Sequence, residues 1–411
     1  MESIKLENIT ENPESSFERG ANPFLSAIMR KIRSDYESDR KVEEESAPAG
    51  MYYISARYAE KPYKLPFVYF DTRGCKFDKA GACTMCNFGR DTKHTEDETF
   101  EAVGSVIESV KDQPFIQIVS SGSFLDDWEV SPHQRQRILD AVAERGFETV
   151  GTESRAEFIT EEKAKQLRKT LGQDTEIEMG IGLETVDPTI SKYSINKMFS
   201  PERYKSAVRN LKENGINIFS HALLKPAFLT EREAYEDVVK TIKWAFENGS
   251  DSAGIGIMNL KKGTLNHWLA ERGEYRVPWL WTVAKIFRDL PQETSQKVTA
   301  FGFESGIPIE GEAMNCNICS PDIKRMLNQY IETRDAGILD EIDRYQCSCK
   351  SEWEETMTEE ARPLAERLPD IYKKIAEQFK GLGDASTINS LIKKSVPNSN
   401  HNPFEEGQNT K

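Results

Sequence analysis

The run Pro66-Phe-Val-Tyr-Phe70 passes directly into Asp71-Thr-Arg-Gly-Cys75-Lys-Phe-Asp-Lys-Ala-Gly-Ala-Cys83-Thr-Met-Cys86. The first part is short, apolar and aromatic, and reads as a buried strand. The second places three cysteines in one loop at the carboxyl end of that strand. Four thiolates saturate a [4Fe–4S] cube, so three in one loop leave one iron open to a further ligand. S-adenosyl-L-methionine is the expected ligand. Its amino and carboxylate groups can chelate the open iron while an electron from the cluster cleaves the sulfonium and releases a carbon radical. The seven residues between Cys75 and Cys83 are a wider gap than radical enzymes usually carry. Two other readings share the spacing. An incomplete zinc knuckle needs a fourth ligand, for which His94 is the nearby candidate. A catalytic dithiol leaves Cys75 without a role.

Outward from this loop the chain alternates strand-like and helical patterns. Strands are expected at Phe115–Val119, Phe147–Val150, Glu176–Leu183, Ile216–Leu224, Ser252–Met258 and Val298–Phe301. Several intervening helices open on capping signals: Thr95-Glu-Asp-Glu98, Thr160-Glu-Glu-Lys163, Ser200-Pro-Glu-Arg203 and Thr230-Glu-Arg-Glu233. Strands spaced by one helix each imply right-handed βαβ units and a parallel sheet. The fold class is therefore α/β, a partial (β/α)6-type TIM-like barrel. In such barrels the chemistry gathers where strands end. Those ends are polar here: Asp71 and Arg73, then Ser121, Gly122 and Ser123, then Glu153 and Arg155, then Glu184, then Lys225. Ser121, Gly122 and Ser123 would let backbone approach the amino group of the methionine moiety. Glu153, Arg155 and Glu184 are further candidate cofactor contacts, with a mutual Glu153–Arg155 pair as the alternative for the first two.

The chain has 411 residues with a net charge of −14, which disfavours a protein that grips duplex nucleic acid unaided. Any such contact must be local or supplied by another subunit. No apolar run reaches the roughly 18 residues a membrane helix needs, and Met1-Glu-Ser-Ile-Lys-Leu-Glu7 lacks a signal-peptide core, so a cytoplasmic protein is expected. Residues 1–60 read as an N-terminal helix, with Phe24, Leu25, Ile28, Met29, Ile32 and Tyr36 on one face, followed by a charged linker. The barrel is assigned to 61–303.

Cys316-Asn-Ile-Cys319 and Cys347-Ser-Cys349 form a second, four-cysteine set in a module at 304–357. Its metal is either a structural zinc ion or an auxiliary iron–sulfur cluster. Trp353 reads as a core residue of this module. A C-terminal helix is expected within 358–394, and residues 395–411, rich in Asn, Pro, Ser and Gly, as a disordered tail.

Taken together, these residues resemble the radical S-adenosylmethionine superfamily, and within it the radical subunit of archaeosine synthase. The resemblance rests on the three-cysteine loop, Ser121-Gly-Ser-Phe-Leu-Asp126, Glu153-Ser-Arg-Ala-Glu-Phe-Ile-Thr160, Gly182-Leu-Glu-Thr185, Tyr193-Ser-Ile-Asn-Lys197, Leu224-Lys-Pro-Ala-Phe-Leu-Thr230, Lys262-Gly-Thr264, Gly273-Glu-Tyr-Arg-Val-Pro-Trp-Leu-Trp281 and both C-terminal cysteine pairs. It implies that Cys75, Cys83 and Cys86 hold the cluster. It implies a transferase partner subunit, a tRNA substrate carrying a lysine-modified deazaguanine, carbon–nitrogen bond cleavage of the lysyl side chain, and a reductant such as ferredoxin or flavodoxin. The alternative is a relative acting on a small-molecule substrate, with the four-cysteine site as an auxiliary cluster.

Overall fold

Seven of the strands are those the alternating pattern predicts. An eighth was not. The computed structural model describes residues 21–39, 47–58, 61–89, 92–120, 122–302, 309–379 and 384–397. Its one sheet runs in chain order through β1 (Ala49–Tyr58), β2 (Lys61–Phe70), β3 (Phe115–Ser120), β4 (Thr149–Ser154), β5 (Glu176–Glu184), β6 (Asn217–Leu224), β7 (Ser252–Ile257) and β8 (Val298–Phe301). β1 is antiparallel to β2, and every later pair is parallel. The sheet curls into a nearly closed barrel whose ladder stays open between β1 and β8.

β1 corrects the assignment of residues 1–60 to a helix and a linker. The helix is present at Pro23–Asp39, but the end of that stretch pairs with β2 over its whole length, Ala49 opposite Phe70 and Tyr58 opposite Lys61. Ala49-Gly-Met-Tyr-Tyr-Ile-Ser-Ala-Arg-Tyr58 has no clean alternation, so its extension comes from its partner strand and not from its own pattern. The charged run 40–46 lies outside the described residues.

Helices cover the outer face of the sheet. Each of the four capping signals is used. Thr95 and Thr230 form full capping boxes, and Thr160 and Ser200 each accept from the N–H three residues on. Ile177, Met179, Ile181 and Leu183 of β5 pack outward against helices such as Glu161–Leu171 and Pro201–Lys212. Alternate residues of the same strand, Glu178, Gly180, Gly182 and Glu184, therefore face the lumen.

The four-cysteine module is built on helices Ser320–Thr333, Ala336–Arg344 and Cys349–Thr358. It shares one core with the second half of the barrel. Phe287 packs on Tyr330 with ring centroids 4.9 Å apart, and buried Trp353 donates its indole N–H to Thr282 Oγ1 at 2.9 Å. The region 358–394 holds two helices, Leu364–Gln378 and Ala385–Ser395, where one was expected. The first stacks Tyr372 on Phe24 of the N-terminal helix, centroids 4.5 Å apart. The expected tail lies outside the described residues from 398 onward. Among the described residues no helix is long and apolar enough to cross a membrane.

Candidate cofactor and metal sites

Gly74 and Gly81 both have positive φ, which lets the chain leave β2, make the short helix Lys76–Lys79 and turn back. At Gly81 a side chain is impossible in a second way, because a Cβ would lie 2.4 Å from the Ser26 carbonyl oxygen. The three cysteines end up around one small apolar cluster with Phe77, Ala82, Met85, Phe158 and Met198. Burial pushes the Cys75 thiol up to about 12, and those of Cys83 and Cys86 also upward; neighbouring thiols add to the effect at Cys75 and Cys86, while Arg155, Lys197 and Arg33 oppose it at Cys83. A bare thiolate set is thus disfavoured here, and a cationic centre shared by the three sulfurs would reverse that preference. The three, with or without His94, do not meet the spacing of a single ion. A cube, which places each thiolate on a different iron, does not require it.

Arg33, on the N-terminal helix, fixes the loop. Its guanidinium pairs with Asp78 and donates to the carbonyls of Asp78, of Ala82 at 2.8 Å, of Cys83 at 3.2 Å and of Cys86 at 2.9 Å. On the other side, the Asn196 side chain donates to the Gly81 carbonyl at 3.1 Å, and Thr84 Oγ1 donates to the Ser194 carbonyl at 2.7 Å.

The strand ends meet this loop. Arg155 Nη1 lies 3.9 Å from Cys83 Sγ, its Nε donates to Glu157 at 2.6 Å, and its Nη2 donates to the Lys197 carbonyl at 3.0 Å. Burial works against the Arg155 charge, but Glu157 and the thiols more than offset it. The alternative Glu153–Arg155 pair does not form. Glu153 turns to His221 on β6, 3.5 Å away. Glu184 pairs with Lys197 at 2.6 Å, and Lys225 with Glu231 at 2.6 Å, both largely buried. Cys83, Glu184, Asn196, Met198, Lys225 and Phe228 are non-glycine residues with positive φ, all on the loops and strand ends around this mouth. Such backbone persists only where the surroundings hold it, and it concentrates at functional sites.

After β3, Ser121 lies outside the described residues, while Gly122 and Ser123 wrap a buried carboxylate. Glu129 accepts from the Ser123 N–H at 2.9 Å and from Thr72 Oγ1 at 3.3 Å. Burial raises its pKa, and backbone donors lower it in part. A cleft of about 660 Å³ opens beside the cysteine loop, lined by Lys76, Phe77, Arg155, Phe158, Met198 and Arg203 among others.

The C-terminal cysteines form a tighter constellation. Cys316–Cys319 and Cys316–Cys347 sulfurs are 3.6 Å apart, and Cys319–Cys349 and Cys347–Cys349 sulfurs 3.5 Å. All four lie within 4.8 Å of one another. A metal–sulfur distance of about 2.3 Å in a tetrahedron puts its corners about 3.8 Å apart, so this spacing suits one ion. The backbone N–H of Cys319, with that of Ile318, brings the Cys316 thiol down to about 7.

Arg33, Glu129, Asn196 and Lys197 were not read as site residues. Arg33 had no signal beyond its place on the polar side of an amphipathic helix. Lys197 and Asn196 did lie within a stretch carrying the family resemblance.

Residues 69–226 match the radical SAM superfamily. Archaeosine synthase subunit beta of Methanosarcina acetivorans is 33% identical over 297 residues, 71% of this chain and 84% of that protein. The protein of the same name from Thermococcus kodakarensis is 31% identical over 311 residues, 72% of this chain and 92% of that one. The crystal structure of methylornithine synthase aligns with 85% of this chain and 95% of its own at 14% identity, with a TM-score of 0.41. The chain belongs to the radical SAM superfamily and is an enzyme of that superfamily.

Proposed function

We propose that this protein cleaves the lysyl carbon–nitrogen bond of a lysine-modified deazaguanine in tRNA, forming the amidine of archaeosine, and that it works with a transferase partner subunit. The observation that carries this reading is its similarity to two archaeal proteins named archaeosine synthase subunit beta, most of whose length it spans. When bound, a [4Fe–4S] cluster and S-adenosyl-L-methionine supply a carbon radical that takes a hydrogen atom from the substrate.

The residues present suit those groups. Cys75, Cys83 and Cys86 would hold the cluster, with Arg33 clamping three carbonyls of their loop segment 82–86 and thereby setting where the sulfurs point. Arg155 offers positive charge beside Cys83. Ser121, Gly122 and Ser123 would receive the methionine amino group, the last two held by Glu129. Glu184 and Arg155 would serve the rest of the cofactor. The apolar wall of Phe77, Phe158 and Met198 would help shield the reacting atoms from water. Cys316, Cys319, Cys347 and Cys349 would hold one zinc ion, because their sulfurs are spaced for a single tetrahedral centre. With a net charge of −14, the phosphate contacts fall to the partner. A ferredoxin or flavodoxin would deliver the electron.

The test is 5′-deoxyadenosine release by the anaerobically reconstituted, reduced protein with lysine-modified tRNA, unmodified tRNA, or buffer. Stimulation of tenfold or more by the modified tRNA alone is expected. Equal release in all three arms removes the tRNA substrate.

A further inference from the structure

The acidic groups around the barrel mouth are nearly all neutralised from within the chain. Asp78 has Arg33, Asp126 has Lys76, Glu157 has Arg155, Glu184 has Lys197 and Glu231 has Lys225. Glu129 is satisfied by backbone and hydroxyl donors. Glu153 is different. Among the described residues its one basic neighbour is the His221 ring at 3.5 Å, and His221 Nε2 is itself buried without a hydrogen-bond partner.

The two side chains converge in the lumen over Gly180. A Cβ at that position would lie 2.8 Å from Glu153 Cγ and 2.9 Å from His221 Nε2, so only glycine leaves them room. Aromatic rings flank the pair. His221 sits edge-on between Phe219 and Phe301, centroids 4.9 and 5.6 Å away, and those two rings fill the space over the bare position of Gly254. Across the lumen, Tyr52 is near enough to Glu153 for that charge to help raise its phenol, burial being the larger cause. Tyr69 lies beside Tyr52, centroids 6.1 Å apart. A half-buried carboxylate without an internal cation, walled by aromatic faces, is the chemistry that recognises an ammonium group. Two residues on, just past the end of the same strand, Arg155 reaches the cysteine loop at Cys83, so a group anchored at Glu153 would lie close to the cofactor that loop is proposed to hold.

We propose that Glu153, oriented by His221 inside the aromatic wall, is the positioning residue that binds a primary ammonium of the substrate; this rests on the proposed reading of the site as acting on a lysyl moiety. Anchoring the cation fixes which carbon of the attached chain faces the cofactor.

Calorimetric titration of the reconstituted protein with S-adenosylmethionine present, using L-norleucine and hexanoate as probes, tests this directly. In the lysine-modified base the side-chain nitrogen is already bonded to the deazaguanine, so the free primary ammonium is the α-ammonium, and the two probes differ by that group alone. The wild type should bind norleucine about tenfold or more tighter than hexanoate, as a charge-assisted hydrogen bond requires. Glu153→Gln should erase that preference and Glu153→Asp should keep part of it, with unchanged melting temperatures. Norleucine and hexanoate binding alike to the wild type, or full preference in Glu153→Gln, overturns the assignment. Preserved preference for the ammonium without tRNA-stimulated turnover would instead overturn the tRNA reading and leave this one standing.

Discussion

At the scale of single residues, the site is decided by which side chains lack room and which lack partners. Gly122 illustrates the first case, since a Cβ there would lie 2.3 Å from Glu129 Oε2. Glu129 cannot move away without abandoning Ser123 and Thr72. Gly122→Ala should therefore destabilise the fold by roughly 1–3 kcal/mol, read as a lower denaturation midpoint at unchanged slope, and should weaken S-adenosylmethionine binding. Adding Glu129→Ala to Gly122→Ala should cost less than the sum of the two single changes, because they share one contact. The three thiols and their loop were legible because cysteine spacing is a local property. Arg33 was not, because its partners lie 45 or more residues away and nothing local marks which arginine of a helix turns inward; Glu129 was not, because its role joins the nearby Ser123 N–H to Thr72, 57 residues away.

At the scale of elements, the ends of the strands are held by the helices behind them. After β5, Thr185 Oγ1 donates to Asp237 Oδ1 on helix Glu231–Glu247 at 2.7 Å, while Oδ2 has no hydrogen-bond partner. Burial pushes this carboxyl up to about 7, with Asp187 adding to the shift. The folded-state value is raised, so the folded protein holds a proton that the unfolded chain has released. The stability this confers is present below about pH 4 and lost as pH rises through about 7. Asp237→Asn keeps the acceptor and removes the charge. It should be near neutral at pH 4 and stabilising at pH 8 by on the order of 3 kcal/mol, checked by thermal melts across that range. The helices were legible through their capping residues, all four of which cap. β1 was illegible because an edge strand can owe its shape to its neighbour, here through pairing from Ala49–Phe70 to Tyr58–Lys61.

At the scale of the whole molecule, the segments on either side of the barrel work as its buttresses. The N-terminal helix clamps the cysteine loop through Arg33 and is itself held by the C-terminal helices through Tyr372 and Ser395. The four-cysteine module shares its core with the barrel helix Leu280–Asp289. Cys347→Ala should consequently release one equivalent of zinc, leave iron content unchanged and lower the melting temperature of the entire chain in a single transition. Loss of iron would identify that site as a second cluster. Pattern and spacing gave the barrel and both cysteine sets. They could not give the coupling of the module to the barrel, made by Phe287–Tyr330 and Thr282–Trp353, nor that of the two terminal helices, which packs residues more than 300 positions apart, Phe24 on Tyr372. The central claim is that the loop of Cys75, Cys83 and Cys86 makes this a radical enzyme. The most direct measurement is 5′-deoxyadenosine formed from S-adenosylmethionine by the anaerobically reconstituted, reduced wild type and by Cys83→Ser. Formation by the wild type and background levels in the variant are predicted; equal amounts from both, or none from the wild type, would contradict the account.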